Sequence, residues 1–413
     1  MTVRRARVFG APARKRPVAA ALAVAVLAGI ALAGCSDSSG DGSDSSTSAA
    51  GEDGSEERPA AEPVTISTNL KSRQGVPVDR LLEVTADNGE LTKVKVASAE
   101  GALPGKVAED GASWTATERF EPGQQYTITT VATDADGKSQ RATQRFTTAD
   151  LTLDQQTYPS VAPLQGETVG VGMPVVISFD IPITDQASIE KHLKVTSSPA
   201  QQGSWHWVSD QEVHWRPKVY WKAGSKVTVD ADINSVPAGG GVFGQEDRHI
   251  TFDIGDAVIS KVNAQTHQMQ TFVNGKLMKT TPITTGKPGF TTRSGVKVIM
   301  EKYRTKRMNS ETVGISRDDP EAYDINDVEY AMRVTSSGEF LHAAPWSVGS
   351  QGSANVSHGC TGMSTENAAW IYNLSKRGDV VEYTGTDRPM DLTNGYGDWN
   401  ASWADYQAGS ALR

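Results

Sequence analysis

Cys360 stands in the run Asn355-Val356-Ser357-His358-Gly359-Cys360-Thr361-Gly362-Met363-Ser364, with His342 eighteen positions upstream. A cysteine acts as a nucleophile only as the thiolate, which needs a base or cation nearby, or donors aimed at the sulfur. His342 supplies a base of suitable pKa. The chain has one other cysteine, Cys35, which has a separate role at the amino terminus. With one cysteine left over, Cys360 has no partner for an internal disulfide. A free thiol outside the cytoplasm is open to oxidation, so its presence points to chemical work.

The elements around this pair follow from local pattern. Glu339-Phe340-Leu341 reads as a strand that presents His342 at a sheet edge, and the loop 343–357 returns the chain so that Cys360 meets it. Gly359 allows a sharp turn and lets amides approach a developing oxyanion. Ser364 reads as the N-cap of the one convincing helix, Thr365 to Leu374, with Trp370, Ile371 and Leu374 on one face. The dipole of that helix would favour a thiolate. Upstream, Met269–Val273, Asn274-Gly275 and Lys276-Leu277-Met278 spell a tight hairpin, and Val296-Lys297-Val298-Ile299-Met300 continues the β pattern. Asp379–Tyr383 closes the unit.

Two further units precede it. Short Thr- and Val-rich runs broken by turns such as Glu121-Pro122-Gly123 and Asp134-Ala135-Asp136-Gly137 predict a β-sandwich over 63–149. Residues 150–255 repeat the plan, with Trp205-His206-Trp207 and Val213-His214-Trp215 as a hairpin across Ser209-Asp210. That Trp/His cluster reads as sandwich core with aromatic pairs, or as a sugar-stacking surface. His206 and His214 have no cysteine or carboxylate at ligand spacing, so no metal and no organic cofactor is expected. The expected organisation is mainly β: two tandem immunoglobulin-like sandwiches, a catalytic β-sandwich over 256–384 with one main helix, and a tail over 385–413. Trp399, Trp403 and Tyr406 would pack that tail on a neighbouring domain, unless the end is disordered.

The amino terminus carries six basic residues and no acid within its first 16, then an apolar run from Val18 to Ala33. This reads as a secretory signal over 1–34. Leu32-Ala33-Gly34-Cys35 resembles the bacterial lipobox, which implies cleavage before Cys35 and its lipidation; an ordinary signal peptide cut near Ala33 is the alternative. The apolar run is short for an uncleaved membrane span. Residues 35–62 are Ser, Gly, Asp, Glu and Ala with almost no large apolar side chain, a disordered tether. The net charge of −9 becomes about −15 once the basic leader is removed. An acidic chain without a basic cluster argues against nucleic acid as a partner.

His342, the intervening loop and Ser357-His358-Gly359-Cys360 resemble the signature of L,D-transpeptidases with a YkuD-type catalytic domain. Ala344-Pro345-Trp346-Ser347 and the Asn274-Gly275 hairpin strengthen the match, and the whole chain resembles the actinobacterial lipoprotein form. The resemblance implies a peptidoglycan L,D-transpeptidase, anchored through Cys35 to the outer face of the cell membrane and reaching into the wall. Its partners would be a donor tetrapeptide stem and an amine acceptor, with carbapenems as inhibitors. Cys360 would attack the carbonyl of the third stem residue, a diamino acid, and expel D-Ala, giving 3→3 cross-links. His342 would take the thiol proton, oriented by the backbone carbonyl of Ala343. His358 would shape the loop or donate a hydrogen bond, or serve as base in place of His342. Amides near Gly359 and Cys360 would hold the oxyanion. Tyr323 on the flap, Ser337-Gly338, Trp346, Met308 and Ser357 would contact substrate. Where many members carry asparagine two positions after the cysteine, this chain has Gly362.

Water in place of the amine would make the same site an L,D-carboxypeptidase. A sortase would need an arginine close to the cysteine, and Arg377 and Arg388 are distant in sequence. A non-catalytic wall-binding lipoprotein would use the sandwich modules and leave the His/Cys pair idle.

Overall fold

The computed structural model describes residues 62–413. The expectations for the signal segment, for Cys35 and for nearly all of the tether lie outside the described residues. Among the described residues no helix is long and apolar enough to cross a membrane.

The first sandwich faces one four-stranded sheet, containing Glu83–Asp87 and Ser113–Ala116, against another built around Glu90–Ala97, Gln125–Thr133 and Ser139–Thr147. In Gln125–Thr133 alternate side chains, Tyr126, Ile128, Thr130 and Ala132, are buried. That period of two is what a strand with one covered face requires. Phe120, Tyr126 and Phe146 pack with ring centroids 5.1–5.4 Å apart in its core.

The second sandwich pairs a sheet of Pro159–Ala162, Val175–Phe179, Glu212–Pro217 and Gly203–Trp207 with one of Thr168–Val169, Arg248–Ile254, Lys226–Ala231 and Leu193–Ser198. The Trp/His hairpin forms as expected, with Trp205 opposite Trp215 and His206 opposite His214. Trp205, Trp215 and Trp221 are buried core, so the sugar-stacking reading does not fit these rings.

The third unit has two sheets. One holds Val258–Asn263 (β1), Gln268–Val273 (β2), Lys276–Pro282 (β3) and Gly295–Val298 (β4). The other holds Glu301–Asn309 (β5), Asp324–Arg333 (β6), Phe340–Ala343 (β7) and Thr361–Met363 (β8). Helix α1, Thr365–Leu374, follows β8, and Val380–Thr384 (β9) returns to the first sheet between β1 and β4. Asn274 and Gly275 both take positive φ, 49° and 81°, the tight turn that joins β2 to β3. The Ser364 side chain accepts from the Asn367 amide, capping α1. The short helices Gln186–Glu190 and Trp403–Ala408 are additions to the single helix expected.

Second sandwich and third unit meet backbone to backbone. Gly170 N donates to Arg377 O at 2.8 Å and Gly172 N to Gly378 O at 2.9 Å. A Cβ on Gly170 would lie 2.2 Å from Asp379 N, so only glycine permits this approach. Val380 of β9 belongs to the second sandwich's own core.

The tail is ordered and docks on the second sandwich. Arg216 is buried beneath Trp399, Trp403 and Tyr406, 4.2–5.3 Å from their ring centroids, and donates to the carbonyls of Asp398 and Ala401. His214 sits between Asp398 (2.8 Å) and Glu212 (3.0 Å). Burial works against its cation, yet the two carboxylates push it up to about 10.

Candidate active site

Register places the His/Cys pair. In the parallel β7–β8 pair, Leu341 lies beside Thr361 and His342 beside Gly362. Cys360 immediately precedes β8, two positions before Gly362, so its side chain shares the face that carries His342. β7 lies between β6 and β8, so His342 sits on an inner strand rather than at the expected sheet edge. The reason is that Thr361–Met363, to which the sequence reading assigned no element, itself pairs with β7.

His342 is buried, and its Nδ1 lies 2.7 Å from Ala343 O. A carbonyl only accepts, so Nδ1 carries the proton and Nε2 keeps its lone pair. Burial lowers the pKa of His342 below 6.5, and the Ala343 hydrogen bond acts in the opposite sense. The ring is therefore neutral and basic at neutral pH. The Cys360 thiol faces Gly338 O at 3.7 Å. Burial pushes it up to about 11; a backbone hydrogen bond from Phe340 opposes that, Glu339 adds to it, and Lys297 and Arg333 oppose it. The resting pair is thus thiol and neutral imidazole.

The nucleophile turn is tied internally. Ser357 Oγ donates to Cys360 O at 2.6 Å and accepts from Gly359 N at 3.1 Å. Thr292 Oγ1 holds Gly359 O at 2.8 Å, and Gly359 takes φ of 123°. Two expectations change here. The Gly359 amide already has a partner in Ser357 Oγ, so it is not a free oxyanion donor. Ser357 shapes the turn through its hydroxyl, although it also lines the cavity.

Two cavities open on Cys360. One, of about 270 Å³, is lined by Lys306, Arg307, Arg333, Ser336, Gly338 and Phe340, among others. The other, of about 240 Å³, is lined by Ile325, His342, Trp346, Val356, Ser357 and His358. Met308, Tyr323 and Cys360 line both, so the flap residues Met308 and Tyr323 stand at their junction. Burial, then the nearby Cys360 charge, pushes the Tyr323 phenol up to about 12, so it stays neutral. Trp346 is 57% exposed and stacks near His342, centroids 6.0 Å apart.

Ser337 is not in either cavity. Its hydroxyl donates to Thr335 Oγ1 (3.2 Å) and accepts from Asn394 Nδ2 (3.0 Å), while its amide donates to Asn394 Oδ1 (2.9 Å). Its neighbours Ser336 and Gly338 face the substrate space instead. His358 also has a different engagement from the one expected of a base. Its Nε2 pairs with Glu321 Oε2 at 2.8 Å, and Lys287 Nζ reaches the same oxygen at 2.5 Å. Phe290 and Tyr323 flank its ring at 4.7 and 5.0 Å.

Gly362 has a packing reason. A Cβ there would lie 2.9 Å from Ala344 Cβ and 3.1 Å from Thr284 Cγ2. Sequence reading missed Glu321, Asn394 and the buried group Arg293, Glu339 and Lys297 beneath the thiol. Only Lys297 left a signal, as a charge inside the apolar run 296–300.

Comparison with known proteins gives the family. A family model of the L,D-transpeptidase catalytic domain (YkuD) matches residues 257–382, and one of a bacterial Ig domain (Big_10) matches 73–237, across both sandwiches. A solved LD transpeptidase in complex with imipenem is 37% identical, covering 55% of this chain and 97% of that one, with a TM-score of 0.49. L,D-transpeptidase 3 from Mycobacterium tuberculosis, in complex with a faropenem-derived adduct, is 33% identical over 55% of this chain and 97% of that one, TM-score 0.47. L,D-transpeptidase 2 of Mycobacterium tuberculosis is 38% identical over 339 residues, 82% of each chain. With a relative of that identity aligned across four-fifths of both chains, and the catalytic family model falling on the unit that carries Cys360 and His342, this chain belongs to the L,D-transpeptidases, a family of acyltransferases.

Proposed function

We propose that the chain is a peptidoglycan L,D-transpeptidase that forms 3→3 cross-links through a Cys360 thioester. The observation that carries this reading is that Cys360 lies at the junction of two cavities, with His342 lining one of them. A two-substrate acyl transfer needs separate approaches to one sulfur, for the acyl donor and for the amine.

The steps follow from the groups present. His342 Nε2 takes the thiol proton as Sγ attacks the carbonyl of the diamino acid. Because the thiol is raised and the imidazole lowered, proton transfer accompanies attack rather than preceding it. The C–N bond to D-Ala breaks, and the imidazolium returns the proton to the leaving amine. An acceptor amine then attacks the thioester, losing its proton to His342 and releasing the thiol. Gly359 N reaches an oxyanion only if Ser357 Oγ gives up its hydrogen bond. Tyr323, Met308, Gly338 and Trp346 line the approaches. An LD transpeptidase 37% identical to this chain is known in complex with imipenem, and a carbapenem would acylate Cys360 here. Such a substrate places the described residues outside the cytoplasm, and Cys35 would supply the lipid anchor.

The test is mass spectrometry of the protein and of its Cys360→Ala variant incubated with a disaccharide-tetrapeptide. A cross-linked dimer short of one D-Ala, absent with the variant, is expected. A tripeptide alone would make the protein a carboxypeptidase. No cysteine-dependent product from folded protein would overturn the reading.

A further inference from the structure

Beneath the nucleophile lies a group of charges that the proposed mechanism does not use. Lys297 on β4 is fully buried, in a strand whose neighbours are apolar. Its ammonium pairs with Glu339 Oε2 and lies 3.7 Å from the centroid of the Tyr383 ring. The other carboxylate oxygen, Oε1, accepts from Arg293 Nη1 and from the Arg293 amide, both at 3.1 Å. Arg293 Nε lies 4.0 Å from Asp391, which is largely exposed and so screened by solvent.

Both partners of Lys297 lead directly to Cys360. Glu339 sits between Gly338, whose carbonyl faces Sγ, and Phe340, whose backbone hydrogen-bonds the sulfur. Tyr383 on β9 shares a hydrogen bond of 2.7 Å with Thr361, the residue after Cys360. Lys297 therefore pegs the sheet of β4 and β9 to the sheet of β7 and β8 directly below the nucleophile. Burying a lysine is costly unless it is paired, and a well-packed apolar residue would hold two sheets together at least as well. The charge itself calls for an explanation. Arg293 and Lys297 against Glu339 leave the group with a net charge of +1, in a site where burial disfavours the thiolate.

We propose that Arg293, Glu339 and Lys297 are positioning residues that form one charge group, whose net positive charge sets how readily Cys360 ionises. The inference rests on the reading of Cys360 as the nucleophile. The other ionisable groups facing the sulfur are Arg333 from β6, Tyr383 from β9, Tyr323 from the flap and the neutral His342 from β7. Burial lowers Lys297 to about 8, and Glu339 opposes that, so the cation is intact at pH 7.

The experiment is the rate of Cys360 alkylation by iodoacetamide at pH 7, followed on the full-length protein by mass spectrometry of the Cys360 peptide. Thermal unfolding checks the fold of each variant. Lys297→Met takes the group to zero charge and is expected to slow alkylation about tenfold, the effect of a one-unit rise in thiol pKa. Glu339→Gln takes it to +2 and is expected to speed alkylation about tenfold. The double variant Lys297→Met/Glu339→Gln restores +1 and is expected within about threefold of wild type. A merely structural role predicts that Glu339→Gln leaves alkylation unchanged or slows it. Rates in folded variants that do not follow the charge, above all an unaccelerated Glu339→Gln, overturn the proposal. If Lys297→Met does not fold, Glu339→Gln and the double variant decide alone. Alkylation reports the thiol without turnover. Cross-linking retained by Cys360→Ala would therefore sink the nucleophile reading, while the charge dependence would still be measured.

Discussion

Gly362→Ala should destabilise this protein even though glycine-to-alanine changes in strands ordinarily help. Gly362 has no positive φ, so the new side chain restricts the unfolded chain at no backbone cost, a gain of about 0.4–1 kcal/mol. Against this stands the 2.9 Å approach of the added Cβ to Ala344 Cβ, with Thr284 Cγ2 at 3.1 Å. Carbon atoms prefer about 3.5–4.0 Å, and forcing one extra carbon into a packed core costs about 1–3 kcal/mol. The balance is a loss of roughly 0–2.6 kcal/mol, centred near 1.3. Relief by displacement would move β8, which carries the chain directly out of Cys360 and pairs with His342. A misplacement approaching 1 Å at the reacting atoms would slow acylation by roughly ten- to a hundredfold. The assay is denaturant unfolding, with imipenem acylation of Cys360 followed by mass spectrometry. Adding Ala344→Gly removes the tighter contact and should recover part of both losses. A Gly362→Ala protein as stable as wild type and acylated at the same rate would refute the packing argument. Gly362→Asn, with a larger side chain, should be at least as damaging.

His342→Ala should lower imipenem acylation by roughly a hundredfold or more, and the acid limb of the wild-type rate profile should fall below pH 6.5, because burial lowers His342; a limb above 6.5 would contradict the neutral tautomer. Asn394→Ala should free the loop 336–338, losing hydrogen bonds worth about 1 kcal/mol each, and so raise KM for the donor stem more than it lowers kcat; an unchanged KM would show that the loop holds itself. Asp379→Asn tests a pH-dependent cost. Burial raises this carboxyl to about 7, so the folded state binds a proton that the unfolded state releases near 3.8, and stability declines as pH rises between those values. The variant should gain in unfolding temperature over wild type at pH 8 and not at pH 4; an equal gain at both would exclude the titration.

Much of the site was legible because its signals are local. The Cys360 turn, the Asn274-Gly275 hairpin and the Ser364 cap each declare themselves within a few residues, since turn and cap chemistry is set by neighbours. The spacing of His342 from Cys360 followed from two strands and one loop. What escaped reading depends on partners far along the chain. The Ser337 hydroxyl belongs to Asn394, 57 residues on. His358 answers to Glu321 across the flap, 37 residues back. The edge placement of His342 failed because three residues, Thr361–Met363, are too few to show alternation yet suffice to pair. The tail aromatics were visible as a group that needed a surface. That Arg216 supplies that surface could not be read, since an arginine in a strand ordinarily marks a solvated face.

The tail also fixes an order of events. Glu190, in a short helix of the second sandwich, receives Ser410 Oγ and the amide of Ala411. Asp398 and Tyr406 complete the setting of His214, and Trp403 that of Arg216. The second sandwich is thus finished by residues synthesised some 200 positions after its own strands. Until residues 398–406 are made, His214 lacks its buried counter-ion and Arg216 its aromatic cover. The middle of this chain cannot reach its final state before residues 394–411 exist, so a ribosome stalled ahead of codon 394 would leave both the sandwich and the 336–338 loop unfinished.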